Sequence, residues 1–367
     1  MLGTAFLIAN MCFGTAIFTF AIRCKYIGLV WYLVLVLIGA FGNYWTILRL
    51  VRVCIPHQEA DYATLVKKIA GKGAGYVIDI FTTLYAISIV LSCSCSMFQG
   101  VGRFIEVIIK NGQYETYSDF KSDFLDRNDV KFPIIFVLMA LLFPMCILRD
   151  LSKLHFTGYL GVFSIFFGIL VVVIQCNEYY NYYKDNEYIK EDEDTHVNWV
   201  NIGKGFTKEL EFFKGAATIF FAYTLHNGIL PTFKEFQMNE AGYKKFQWST
   251  IIGMSIVCVF SFTSTICSFL TEPINPEDII VFRKPIHSGY DVLMSIAKIS
   301  FTLAQFFTIP PYHLTVRLGI ENLFKNKKPF GTLGNVLFTS IFLIICGIIV
   351  KAGNTYSIIG KCFACFI

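Results

Sequence analysis

Charge is what this sequence has least of. Only 16% of its 367 residues are Asp, Glu, Lys or Arg, against roughly a quarter in a soluble globular domain, so the chain is not built to meet water on every side. Metal-ligand spacing is missing as well: Cys362 and Cys365 form the one close C-x-x-C pair, and no second pair follows at zinc-site distance. Of the twelve cysteines, Cys93, Cys95, Cys146, Cys176, Cys258, Cys267 and Cys346 fall in apolar runs and neither long polar loop has any. They read as small, soft residues packing between helices. No loop is long enough for an inserted catalytic domain, and the apolar runs hold no paired carboxylates or histidine clusters, which argues against an enzyme. Repeated pore loops and an Arg-rich voltage-sensing helix are absent too, which lowers the standing of a channel. No nucleic-acid partner and no organic cofactor are expected.

Long apolar runs are what is there. Hydrophobic residues make up 55% of the chain and aromatic residues 17%, with a mean hydropathy of +0.58. Crossing about 30 Å of hydrocarbon takes about 20 residues of helix, and nine runs qualify, near 3–22, 28–48, 76–109, 132–148, 156–176, 212–233, 247–270, 289–316 and 332–350. A tenth, Tyr356 to Ile367, carries Lys361 and stops after a dozen residues, as though the chain ends inside a helix. Met1 to Phe20 lacks a basic start and leads almost directly into the second run, so it reads as a helix rather than a cleaved signal. With no water to satisfy backbone groups in lipid, helices are the structure such runs adopt. The chain is therefore expected to be an all-α polytopic membrane protein, a single transmembrane domain over residues 1–367, in a plasma or an internal membrane, with the bilayer as partner.

Loop charge orients the spans. Arg49, Arg52, Lys67, Lys68, Lys72, Arg149, Lys153, Lys244, Lys245, Lys325, Lys327 and Lys328 fall in loops on one side, which marks it as cytoplasmic. Loops 110–131 and 178–211 lie opposite and are dominated by Asp119, Asp123, Asp126, Asp129 and the run Glu191-Asp192-Glu193-Asp194.

Two spans carry breaks. The first has Gly14, Thr15 and Ala16 near its middle; in the sixth, His226, Asn227, Gly228 and Pro231 interrupt the helix centre. Gly and Pro both weaken a helix interior, Pro by about 3 kcal/mol in soluble hosts. Transporters place substrate where paired helices are broken at mid-membrane. The broken spans are five apart, as in inverted five-helix repeats: one over about 1–177, the acidic loop over 178–211, the other over 212–367.

The run F-A-Y-T-L-H-N-G-I-L-P-T-F-K-E-F, Phe221 to Phe236, resembles the aromatic, His, Leu-Pro and Glu pattern of the amino acid/auxin permease family of the APC superfamily, in particular its neutral amino acid transporter branch. Asn10 through Gly14 to Gly28 is similar to that family's N-x-x-x-G-x-G signature, and Thr308 to Arg317, T-I-P-P-Y-H-L-T-V-R, to its Thr-x-Pro and aliphatic-Arg ending. Ala16 replaces the second signature glycine and Ala21 a common proline. The resemblance implies a LeuT-type fold with discontinuous helices 1 and 6, whose C-terminal helices are incomplete here, and secondary active symport of amino acids by alternating access. The substrate carboxylate is then expected at the N–H groups of Gly14, Thr15, Ala16 and Ile17, and its amino group near Tyr223, Thr224 and His226. Asn10, Thr308 and Lys298 are the candidate coupling residues, for sodium or protons.

Each residue has a plainer reading. Asn10 can bond a neighbouring helix, and Thr15, Thr224 and Thr308 can bond a carbonyl a turn away. His226 can cap broken backbone, Gly14 can pack helices, and Lys298 can snorkel outward. Asp79 and Glu106 are expected to meet headgroups. A sensor that binds without translocating, or an ion channel on the same fold, remains the alternative function. The substrate identity, coupling ion, membrane and oligomeric state are not written in the residues.

Overall fold

The computed structural model describes residues 1–13, 16–18, 24, 28–59, 61–109, 128–149, 154–185, 213, 216–217, 219–220, 222–271, 279–283, 292–324 and 330–352. Among them are eleven α-helices and no strand: α1 Leu2–Phe13, α2 Leu29–His57, α3 Tyr62–Ala70, α4 Lys72–Ile109, α5 Asn128–Cys146, α6 His155–Ile174, α7 Cys176–Asp185, α8 His226–Lys234, α9 Glu240–Thr271, α10 Val292–Leu323 and α11 Thr332–Ala352. Six of these are long and apolar enough to cross a membrane, and Leu2–Phe13 and Lys131–Cys146 are shorter apolar helices. Side chains such as Phe41, Phe136, Phe163 and Ile344 point outward from the bundle, which suits lipid and not water. The protein is a multi-pass integral membrane protein.

Among the described residues, helices fall within the apolar runs, with differences at the ends. The second run continues to His57, where Gln58 at φ 52° stops α2 with a left-handed cap. The basic loop beyond it contains α3, started by Asp61, whose carboxylate accepts from the Thr64 N–H at 2.8 Å. Gly71 then takes φ 92°, a turn that glycine adopts readily, and separates α3 from α4. The beginning of the acidic loop is likewise helical, as α7. The tenth run, Tyr356 to Ile367, lies outside the described residues.

Close packing needs small residues. A Cβ on Gly100 would sit 2.2 Å from Thr302 Oγ1, and one on Gly319 would sit 1.9 Å from Thr83 Oγ1, so α4 and α10 meet antiparallel along both lengths. Helix α1 lies in a similar cleft. Gly158 of α6 presses on the Leu7 backbone, where a Cβ would come within 2.7 Å, and Gly253 of α9 on the Ala5 carbonyl, at 2.8 Å.

Three charged groups differ from expectation. Asp79 and Glu106 are buried in protein rather than at headgroups, with Asp79 bonded to Lys67 of α3 at 2.6 Å and Glu106 to Arg103 at 3.3 Å. Lys298 is 0% exposed and does not snorkel. The end with the basic loops, termed inner here, is tied by Asn322 to Asp61 (3.1 Å), His155 to Glu235 (2.9 Å), Arg317 to Asn335 (2.6 Å) and Ser249 to the Met1 carbonyl (3.0 Å).

Candidate functional site

The last turn of any helix leaves carbonyls without an intrahelical donor, and a helix that stops inside a membrane must find side chains for them. Helix α1 stops at Phe13, and a 3₁₀ turn, Ala16–Phe18, follows. Tyr312 of α10 donates its hydroxyl to the Met11 carbonyl at 2.8 Å, and Ser264 of α9 donates to the Ile17 carbonyl at 3.1 Å. Gly14 and Thr15 lie outside the described residues, and Ala16 opens the 3₁₀ turn.

The sixth span breaks earlier than its glycine and proline imply. Ala222 and Tyr223 are helical, Thr224 and Leu225 are not, and α8 restarts at His226. His226, Gly228 and Pro231 are therefore part of the second half-helix and not the interruption. Tyr85 of α4 donates its hydroxyl to the freed Thr224 carbonyl at 2.8 Å, while Thr224 Oγ1 bonds back to the Phe220 carbonyl at 2.8 Å. Gly228 has its own purpose: a Cβ there would be 2.3 Å from Met11 Cε, so the first turn of α8 leans on the last turn of α1. The two breaks thus face each other. The hydroxyls of Tyr85 and Tyr312 also lie within hydrogen-bonding reach of one another, so a chain of four oxygens runs from Met11 O through both tyrosines to Thr224 O.

Asn10 and Thr308 are brought together as well. The Asn10 amide is buried against Gly161 of α6, its Nδ2 donates to the Phe307 carbonyl at 3.2 Å, and its Oδ1 accepts from the Thr308 hydroxyl at 3.4 Å. Thr308 also donates to the Ala304 carbonyl at 2.8 Å, the plainer reading of this residue. The set is all oxygen, as a hard cation requires. The 3.4 Å contact is a long hydrogen bond, and its two oxygens are of the kind a hard cation takes.

Other candidates lie apart. Ten residues of α10 separate Lys298 from Thr308, about 15 Å along the axis, so Lys298 is not part of that pair. His226 Nε2 is 2.9 Å from Thr46 Oγ1 of α2. The Thr46 hydroxyl already has the Gly42 and Asn43 carbonyls as acceptors at 3.0 Å, which assigns the donated proton to the imidazole. Tyr223 is fully buried beside Gly39 of α2, with its hydroxyl toward Ser261 of α9.

Tyr85, Tyr312 and Gly161 were not singled out from sequence. A tyrosine at mid-span in an apolar helix is a usable signal, since its hydroxyl must find a partner there. Between the breaks and the outer end, Phe301 of α10 meets Phe18 at 5.4 Å and Phe282 at 5.3 Å, both edge-on. An open apolar groove of about 250 Å³ between α2 and α3, lined by Leu50, Val53, Leu65 and Val66, includes neither break.

Comparison with known proteins adds to this geometry. The sequence profile described as "Transmembrane amino acid transporter protein" matches residues 1–354. The chain is 21% identical over 323 residues to sodium-coupled neutral amino acid transporter 7 of Xenopus laevis, covering 84% of this chain and 66% of that protein. It is 21% identical over 310 residues to sodium-coupled neutral amino acid symporter 2 of Danio rerio, covering 78% of this chain and 59% of that one. The chain therefore spans between about three fifths and two thirds of the length of these curated relatives.

Proposed function

The chain belongs to the transmembrane amino acid transporter family, and from that premise we propose that it carries neutral amino acids across a membrane by sodium-coupled alternating access. The two similar proteins are sodium-coupled by name, and Asn10 and Thr308 offer an oxygen pair suited to that ion.

The observation that carries the substrate reading is the oxygen chain between the breaks. It has three contacts to fill (Met11 O to Tyr312, Tyr312 to Tyr85, and Tyr85 to Thr224 O) and two hydroxyl protons to fill them. With both protons given to the carbonyls, the two phenolic oxygens meet as acceptors. An ammonium group brings three donors and no acceptor, which is the chemistry this site needs, and the amino group of an amino acid supplies it. The carboxylate then faces the N–H groups from Gly14 to Ile17 beyond the end of α1. The proposed architecture is of LeuT type, with repeats over about 1–177 and 212–367, the broken helices rocking against α4 and α10.

Labelled amino acid loaded outside proteoliposomes that contain unlabelled amino acid tests this reading. Counterflow accumulation of a neutral amino acid is expected. Saturable binding without accumulation would make the protein a sensor and overturn transport.

A further inference from the structure

At the outer end, α6 passes into α7 through Gln175, and Cys176 is the first residue of α7. Cys176 Sγ is 3.8 Å from the carbonyl oxygen of Cys267, which lies about one turn from the end of α9, and the two thiols are themselves in contact. Both are free and only partly buried. Among the described cysteines, Cys12, Cys24, Cys54, Cys93, Cys146 and Cys346 are buried; Cys95 and Cys258 are the other partly exposed ones.

The surroundings fix this meeting. Arg283 follows the 3₁₀ turn Ile280–Phe282 and is 0% exposed. Its Nη1 donates to Thr271 Oγ1 at 3.0 Å, its Nη2 to Gln175 Oε1 at 3.5 Å, and its guanidinium lies 3.3 Å from the centre of the Tyr179 ring. One side chain thus ties the residue before Cys176 to the residue four positions after Cys267. The thiols are held together by the frame around them. The loop-charge pattern puts this end opposite the cytoplasm, where disulfides persist.

We propose that Cys176 and Cys267 are a disulfide site that staples α7 to α9. A thiolate of the pair attacks one sulfur of a low-molecular-weight disulfide and expels a thiol, leaving a mixed disulfide on the protein. The second thiolate attacks the protein-side sulfur and expels the other thiol. Two protein thiols lose two electrons and two protons, and one disulfide is reduced to two thiols. The closed bond encloses residues 176–267, α8 and the sixth-span break included, and a loop this long is constrained strongly in the unfolded chain.

The test uses the purified full chain in detergent and needs no transport activity. After treatment with oxidised glutathione, non-reducing peptide mapping is expected to find Cys176 joined to Cys267, with Cys258 still open to alkylation. The oxidised protein should melt several degrees above its dithiothreitol-treated form, and Cys176→Ala and Cys267→Ala should each remove that difference. Alkylation of Cys176 and Cys267 as fast as Cys258 after oxidation would overturn the proposal, as would either cysteine linked to a different partner.

Discussion

The α4–α10 pair and the α1–α8 pair solve one problem in opposite ways. Helices α4 and α10 are continuous over 38 and 32 residues, so most of their backbone groups bond internally, with the Phe307 carbonyl that Pro311 cannot reach accepting from Asn10, and Gly100 and Gly319 let them close on Thr302 and Thr83. Helices α1 and α8 have 12 and 9 residues, and the breaks beside them free the carbonyls of Met11 and Thr224. Tyr312 and Tyr85 of the unbroken pair fill those positions. In the proposed mechanism this contrast separates frame from moving part: continuous helices present fixed hydroxyls, and interrupted helices present backbone for the substrate.

The contrast breaks most severely at the glycines that admit α1. Gly158→Leu would drive a side chain into the Leu7 backbone, for which overpacking costs of about 1–3 kcal/mol are a lower guide because backbone has to move. Loss of folded protein in detergent, read by size-exclusion profile and melting temperature, is expected.

A smaller, functional effect is expected at the tyrosines. Tyr85→Phe leaves the Thr224 carbonyl without its donor, at about 1–3 kcal/mol for an unsatisfied buried group. Uptake should show a KM for amino acid raised by about tenfold or more, since each 1.4 kcal/mol is a factor of ten, while sodium dependence stays unchanged. Tyr312→Phe should behave alike through Met11.

Asn10→Ala and Thr308→Ala should show the reverse pattern: the sodium concentration for half-maximal uptake rises, with a smaller effect on amino acid affinity at saturating sodium. Smallest of all is Thr46→Val, which removes the partner of His226 on α2. Hydrogen bonds between membrane helices average about 0.6 kcal/mol, so its melting temperature should fall by about a degree or two and uptake should persist.

The spans were legible because hydropathy is a property of each run alone. The coupling of Asn10 with Thr308 was implied by the resemblance of their segments to the family's motifs, and the structure brings the two side chains together. The sixth-span break was displaced by two residues because Gly228 and Pro231 look like breakers, whereas Gly228 makes room for Met11 and neighbouring helices let Pro231 stay within α8. The carbonyl freed at Thr224 is met by Tyr85, 139 positions away, and no local pattern records that contact. Burial of Lys298, Asp79 and Glu106 was hidden for the same reason: each depends on which helices pack together.

Uptake by proteoliposomes, with external sodium replaced by choline at two pH values, tests the central claim most directly. The account predicts that neutral amino acid uptake follows an inward sodium gradient and is lost in choline at both pH values. Full uptake in choline, rising as external pH falls, would contradict it and leave Asn10 and Thr308 as a structural hydrogen bond between α1 and α10.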